Sequence, residues 1–113
     1  MSNRPDRVKI GPLVYTIEWK GQDWEDTNRL LGQCVPSFQV IRLSERLQPD
    51  RMACVFIHEI YHALADHMQC FNKITPEQSA SVAGDGMTMF WIDNPDAFDW
   101  YSGLIESSTT KRY

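Results

Sequence analysis

The stretch that decides the fold is residues 52–64, MACVFIHEIYHAL, near the middle of a 113-residue chain. Its apolar residues recur at spacings of three and four, the period of one face of an α-helix. Pro49 and Asp50 precede it, and proline is favoured at the first position of a helix. The pattern predicts a helix over residues 49–69. Its predicted apolar stripe consists of Ala53, Ile57, Ile60, Leu64, Met68 and Phe71.

Inside this helix the sequence reads His58-Glu59-Ile60-Tyr61-His62, an H-E-x-x-H motif. Helix positions four apart differ by about 40° in direction, so the two imidazoles can reach one cation from the same side. Zinc accepts nitrogen ligands at about 2.0–2.1 Å. The spacing therefore predicts His58 and His62 as ligands of Zn²⁺. The alternative is two polar residues on the wet face of an amphipathic helix.

A catalytic zinc needs a third protein ligand and an open position. Glu77 is the predicted ligand, because a chain reversal around residues 71–74 would bring the next helix back antiparallel to the first. A first-turn glutamate favoured by the helix dipole is the alternative, and Asp85 is the second candidate. His67 lies about 140° around the helix from His62 and is predicted to point away from the site.

Two further features flank the predicted ligands. Asp66 follows His62 by four residues, so its carboxylate could accept a hydrogen bond from that imidazole; a solvated helix residue is the alternative. Gly84-Asp85-Gly86 lowers the stability of the helix that contains it. Either close packing or the metal site must explain these residues.

The rest of the chain predicts an α+β fold of a small antiparallel sheet of three or four strands followed by two or three helices. Strands over residues 7–10 and 13–19 flank the turn signal Gly11-Pro12. Residues 20–31 predict a loop or a short helical turn. Residues 33–43 predict one further strand, in which Pro36 indicates an edge or a bulge.

The second half of the chain predicts helices. Thr75-Pro76-Glu77-Gln78 is a capping box with proline at the first helical position, and the helix should end near residues 93–95. Apolar residues occupy most of its circumference, which predicts burial. A third helix is predicted over residues 95–105, followed by frayed ends over the last eight residues.

Composition indicates one domain, residues 1–113. Eleven basic and fifteen acidic residues give a net charge of −4, which disfavours nucleic-acid binding. There is no apolar run long enough for a bilayer and no signal-peptide pattern at residues 1–7. Three cysteines without a C-x-x-C pair favour buried free thiols in a reducing compartment. The predicted location is the cytoplasm.

These residues resemble the ImmA/IrrE family of zinc metallopeptidases, particularly its short phage- and prophage-encoded members. The likeness runs from the paired strands through Leu31-Gly32-Gln33 and the motif to the Glu77 helix. It implies a minimal zincin-like (gluzincin) core, with His58, His62 and Glu77 as zinc ligands and Glu59 as general base. It also implies a protein substrate, typically a transcriptional repressor, in a bacterial cytoplasm.

The chain departs from the family pattern in one respect. Many gluzincin-type sites carry an aspartate four residues after the third ligand, where this sequence has Ser81. The sequence does not distinguish among three tyrosines that could stabilise an oxyanion: Tyr15, Tyr61 and Tyr101. The sequence thus predicts a zinc-dependent metallopeptidase. The alternative is a metal-stabilised phage or mobile-element module that binds a host protein without cleaving it, through exposed aromatic residues such as Trp19, Trp24 and Trp100.

Overall fold

A computed structural model describes residues 3–70 and 73–112, with side chains described up to residue 109. The first part contains β1 (Arg7–Ile10), β2 (Leu13–Lys20), α1 (Gln22–Asn28), β3 (Gly32–Val35) and β4 (Val40–Ser44). The second contains α2 (Pro49–His67), α3 (Pro76–Ser81), a π turn (Val82–Gly86), α4 (Met87–Asp93) and α5 (Pro95–Arg112). The predicted α+β class is confirmed.

The first two strands form the predicted antiparallel hairpin. Gly11 turns the chain with φ at +59°, a left-handed conformation that glycine adopts without steric cost. The inward residues of both strands are buried, from Val8 on β1 to Tyr15 and Ile17 on β2. This face of the sheet receives the helices.

The sheet is mixed, so the prediction of a purely antiparallel sheet is wrong. The strand order is β1-β2-β4-β3, and β4 runs parallel to β2 and antiparallel to β3. The apolar strand β4 lies in the interior of the sheet, where Ile41 and Leu43 are fully buried. The shorter and more polar β3, with Gly32 and Gln33, lies at the edge, where an unpaired main chain is tolerated.

The predicted single strand over residues 33–43 is instead two strands. A 3₁₀ turn begins at Pro36, and Gln39 leaves it with φ at +52°. The chain therefore reverses between β3 and β4. Proline marks a turn here rather than a bulge, and the strand that ends before it, β3, lies at the edge of the sheet.

The motif helix α2 packs against the sheet and against α5. Its buried residues are Met52, Ala53, Phe56, Glu59, Ile60, Ala63, Leu64 and Ala65. The buried face is therefore shifted from the predicted stripe towards Phe56 and Ala63, while Ile57 is only half-buried. Phe71, the last predicted member of the stripe, lies outside the described residues.

The capping box at the start of α3 is confirmed. The Thr75 side chain accepts a hydrogen bond from the Gln78 backbone, and the Gln78 side chain accepts one from the Thr75 backbone. The π turn keeps right-handed dihedrals at both ends, so α3 and α4 form one continuous helical segment. The prediction that this segment is buried is wrong for most of its residues, since those that are buried are Val82, Gly86 and Phe90.

The last helix, α5, is longer than predicted and continues to Arg112, so the frayed ending is also wrong. An aromatic cluster holds it against the rest of the fold. The Phe56 ring of α2 lies 5.1 Å from Trp100 and 6.2 Å from both Phe90 and Tyr101, measured between ring centroids. Within the described ranges, every helix is too short or too polar to cross a bilayer.

Candidate metal centre

The two motif histidines converge on the exposed face of α2. Their Nε2 atoms are 3.1 Å apart and their ring centroids 4.7 Å apart. Partial burial, and then the neighbouring His58, lower the pKa of His62. Both effects favour the neutral imidazole, which is the form that binds a metal ion.

The donor set fits zinc. Two nitrogen ligands at 2.0–2.1 Å in a tetrahedral site lie about 3.3 Å apart, close to the 3.1 Å between the two Nε2 atoms. Ligand atoms of His58, Glu59 and His62 all lie within 4.8 Å of one another. No other cluster of three or more potential metal ligands forms among the residues that the structure describes.

Glu59 combines a carboxylate with burial. Only 6% of its surface is exposed. Burial raises the pKa of Glu59, while the adjacent His58 acts in the opposite direction. A buried carboxylate beside two exposed imidazoles is a suitable proton acceptor, because its basicity is higher than that of a surface glutamate.

The edge strand β3 passes directly over Glu59. A Cβ atom placed on Gly32 would lie 2.9 Å from the Glu59 Oε2 atom and 2.7 Å from Val55 Cγ1. Only glycine allows the strand to come this close without moving the carboxylate. Sequence reasoning missed this contact, and the single signal was a glycine at the start of a strand.

Glu77 is not part of the three-residue cluster. It is exposed in the first turn of α3. The same turn is nevertheless tied to the motif, because the Tyr61 hydroxyl and the Ser79 hydroxyl are 2.9 Å apart. The third ligand therefore stays a prediction, on a helix that contacts α2 two residues from Glu77.

Asp66 also lies outside the cluster and has no hydrogen bond to His62. It faces the sheet, where its charge acts on Tyr15 and Cys34. Burial, followed by the charges of Glu59 and Asp66, raises the pKa of Cys34 to about 12. The predicted support of an imidazole by Asp66 stays without a contact in this structure.

Close packing explains one of the two glycines in the Gly84-Asp85-Gly86 stretch. A Cβ atom on Gly86 would lie 3.1 Å from the Met68 sulfur, so this glycine permits close packing on α2. Gly84 has open space around it. Asp85 and Ser81 are exposed and lie outside the cluster.

His67 lies at the turn between β1 and β2. Its ring occupies the space that a Cβ atom on Gly11 would need. It is not a member of the cluster, in keeping with its predicted direction.

Of the three tyrosines, two border the motif. Tyr15 is wholly buried, and its hydroxyl has no hydrogen-bond partner among the described residues. Tyr61 and Tyr101 line an open groove of about 800 Å³ between α2 and α5, together with both histidines. Sequence reasoning did not predict that α5 would border the site.

Comparisons of the chain with protein-family models, with curated proteins and with solved structures find no match. Two imidazoles at ligand spacing and a buried carboxylate beside them can hold a divalent cation and accept a proton next to it. The prediction that three tryptophans are exposed is wrong, because all of them are half-buried: Trp19, Trp24 and Trp100. None of them lines the groove beside the histidines.

Proposed function

We propose that the chain is a minimal zinc-dependent metallopeptidase domain that hydrolyses a peptide bond in a protein substrate. One observation carries the proposal: the His58 and His62 Nε2 atoms are 3.1 Å apart on an open helix face, beside the buried carboxylate of Glu59. A structural zinc site needs no such carboxylate. A hydrolytic site needs a base at this place.

His58 and His62 would hold the ion, with Glu77 as the proposed third ligand. When bound, zinc supplies Lewis-acid polarisation of the substrate carbonyl and lowers the pKa of a water molecule. Glu59 accepts the proton of the attacking water and delivers it to the leaving amine. Tyr61 and Tyr101, which both line the groove, are the tyrosines that could donate to the carbonyl oxygen; Tyr15 is buried in the core.

An extended substrate would bind along β3. The strand before the motif helix, β4, offers no edge to such a substrate, because it is paired on both sides. The outer edge of β3 pairs with no strand in the described part of the chain. Because Gly32 brings β3 onto Glu59, a peptide that adds to this edge through main-chain hydrogen bonds would pass the motif.

The resemblance to the ImmA/IrrE family extends the proposal. It favours a transcriptional repressor as the protein substrate and the cytoplasm of a bacterial host as the compartment. The phage-encoded short members are the expected relatives, and the fold would then be a gluzincin-type core reduced to one domain.

A second function has an observation in its favour. Phe38 is 76% exposed at the turn between β3 and β4, and Ile92 is 73% exposed on α4. Aromatic residues are enriched at protein–protein interfaces, so the exposed Phe38 is a candidate contact for a partner. A metal-stabilised module that binds a host protein without cleaving it is therefore the competing proposal.

The substitution Glu59→Gln separates the two functions. It keeps the size of the side chain and removes its capacity to accept a proton. A general base contributes about 10²–10⁴ in rate, so cleavage of co-expressed host proteins should fall by that order while zinc content and melting temperature stay unchanged. The matched control is Glu45→Gln, a surface carboxylate paired with Arg4.

Each alternative result has a clear meaning. Undiminished cleavage in zinc-loaded Glu59→Gln protein would contradict the role of Glu59 as base. Loss of zinc in that variant would make Glu59 a ligand. Unchanged partner affinity and unchanged cellular effect, with no cleavage by the wild type, would favour the binding module.

A further inference from the structure

The groove between α2 and α5 opens directly beside the metal centre. Its walls include His58 and His62 themselves, and beyond them Cys54, Ile57, Tyr101 and Ile105. Its volume is about 800 Å³, within the roughly 300–1,000 Å³ of sites that accept small molecules or side chains. The groove continues the site away from β3, on the other flank of the histidines.

The wall contributed by α5 is firmly positioned. The Tyr101 ring packs against Phe56 of α2 and lies 5.1 Å from the Trp91 ring, measured between centroids. Ile105 follows one turn later and is 45% exposed to the groove and solvent. An isoleucine held open beside two imidazoles offers apolar surface that the fold itself does not cover.

Among the side chains that the structure describes, formal charge is sparse in this groove. Apart from the histidines, Asp50 is the charged residue that lines it. Asp50 precedes His58 by eight residues, or about 12 Å along the helix axis. Between the histidines and Asp50, a charged side chain would lose hydration without meeting an oppositely charged lining residue, whereas an apolar one would be stabilised by burial.

We propose that this groove selects a large apolar side chain, such as leucine or phenylalanine, next to the peptide bond that the site cleaves. The inference rests on the proposed peptidase function and deepens it by naming the substrate class. A peptide bound at β3 with its carbonyl at His58 and His62 has its neighbouring residue at the mouth of the groove. Ile57, Tyr101 and Ile105 then determine specificity.

Cys54 provides a readout of groove occupancy that needs no turnover. It is exposed, so the prediction of buried thiols is wrong for this residue, whereas Cys34 and Cys70 are half-buried. The rate of its alkylation by N-ethylmaleimide, followed by peptide mapping, reports access to the groove. Zinc-loaded protein is labelled with leucine, glycine or aspartate hydroxamate present at equal concentration, because a hydroxamate anchors each probe on the metal.

We expect leucine hydroxamate to slow labelling of Cys54 at least tenfold more than the glycine or aspartate probes do. Ile105→Asp should abolish this preference, with folding verified by its melting curve. Ile92→Asp is the matched control, an exposed isoleucine outside the groove, and should retain it. Equal protection by all three probes on zinc-loaded protein overturns the apolar selection alone. A protein that binds no zinc overturns both this inference and the peptidase function.

Discussion

The two flanks of α2 hold the candidate centre with unequal tightness. On one flank, β3 approaches so closely that a Cβ on Gly32 would come within 2.9 Å of the Glu59 carboxylate. On the other, α3 touches the motif through the Tyr61 and Ser79 hydroxyls, while Glu77 remains exposed outside the cluster. The proposed proton acceptor is thus fixed by packing, whereas the proposed third ligand depends on the position of a separate helix.

The largest expected effect comes from the residues between the flanks. His58→Ala and His62→Ala should each abolish stoichiometric zinc binding, since one imidazole cannot hold the ion alone. Metal analysis of zinc-loaded, gel-filtered protein measures this. His67→Ala is the control and should retain about one zinc per chain, because that ring packs at Gly11. Retention of zinc by both motif variants would contradict the assignment of the metal centre to this helix.

The second effect tests the α3 flank. Glu77→Gln should weaken zinc affinity by at least 10–100-fold, the loss that even an indirect partner of a metal ligand produces. Competition with a chelator measures the affinity. Asp85→Asn and Ser81→Ala, both exposed on the same helical segment, are the controls. A loss confined to Asp85→Asn, or an equal loss in His67→Ala, would show that Glu77 is the wrong residue.

The first test concerns a feature that the sequence could predict, and the second concerns one that it could not. The spacing of His58 and His62 determines their convergence, because both lie on one helix of fixed geometry. The turn at Gly11 and the cap at Thr75 are equally local, and both are confirmed. The placement of Glu77 depends on how two helices pack across residues 71–74, which no local pattern specifies.

Long-range arrangement explains the other differences. The chain passes from β2 through α1 to the edge strand β3 and then reverses, so that β4 lies between β2 and β3 and runs parallel to β2. Single-strand patterns contain no information on strand order. The same is true of the contact between Gly32 and Glu59. The sequence predicted a helix over residues 95–105. The packing of its aromatic residues on Phe56, which forms the groove, depends on the whole core.

The third effect tests the β3 flank. Gly32→Ala should destabilise the fold by about 1–3 kcal/mol, as expected for overpacking, because its Cβ would meet Val55 and Glu59. Zinc content should stay unchanged, since neither histidine is displaced. Gly84→Ala is the matched control: it has open space, and helix propensity predicts a gain of up to about 1 kcal/mol. Equal unfolding free energies for both variants would mean that β3 is not closely packed on Glu59.

The smallest expected effect again concerns the α3 flank, where the first turn of the helix positions Glu77. Thr75→Ala removes the side-chain acceptor of the Gln78 backbone amide, a change that costs about 1 kcal/mol. The melting temperature should fall by about 4 °C. If Glu77 is a zinc ligand, the loosened first turn should also lower zinc affinity, by less than Glu77→Gln does.

Thr88→Ala is the control for this last variant, because Thr88 is an exposed threonine in the interior of the same helical segment and alanine is the better helix former there. It should leave both melting temperature and zinc affinity unchanged or slightly raised. Combining Thr75→Ala with Glu77→Gln sharpens the result. If the cap acts on zinc only through Glu77, the double variant binds zinc no more weakly than Glu77→Gln. A further loss in the double variant would mean that the start of α3 supports the histidines directly, through the contact between Tyr61 and Ser79.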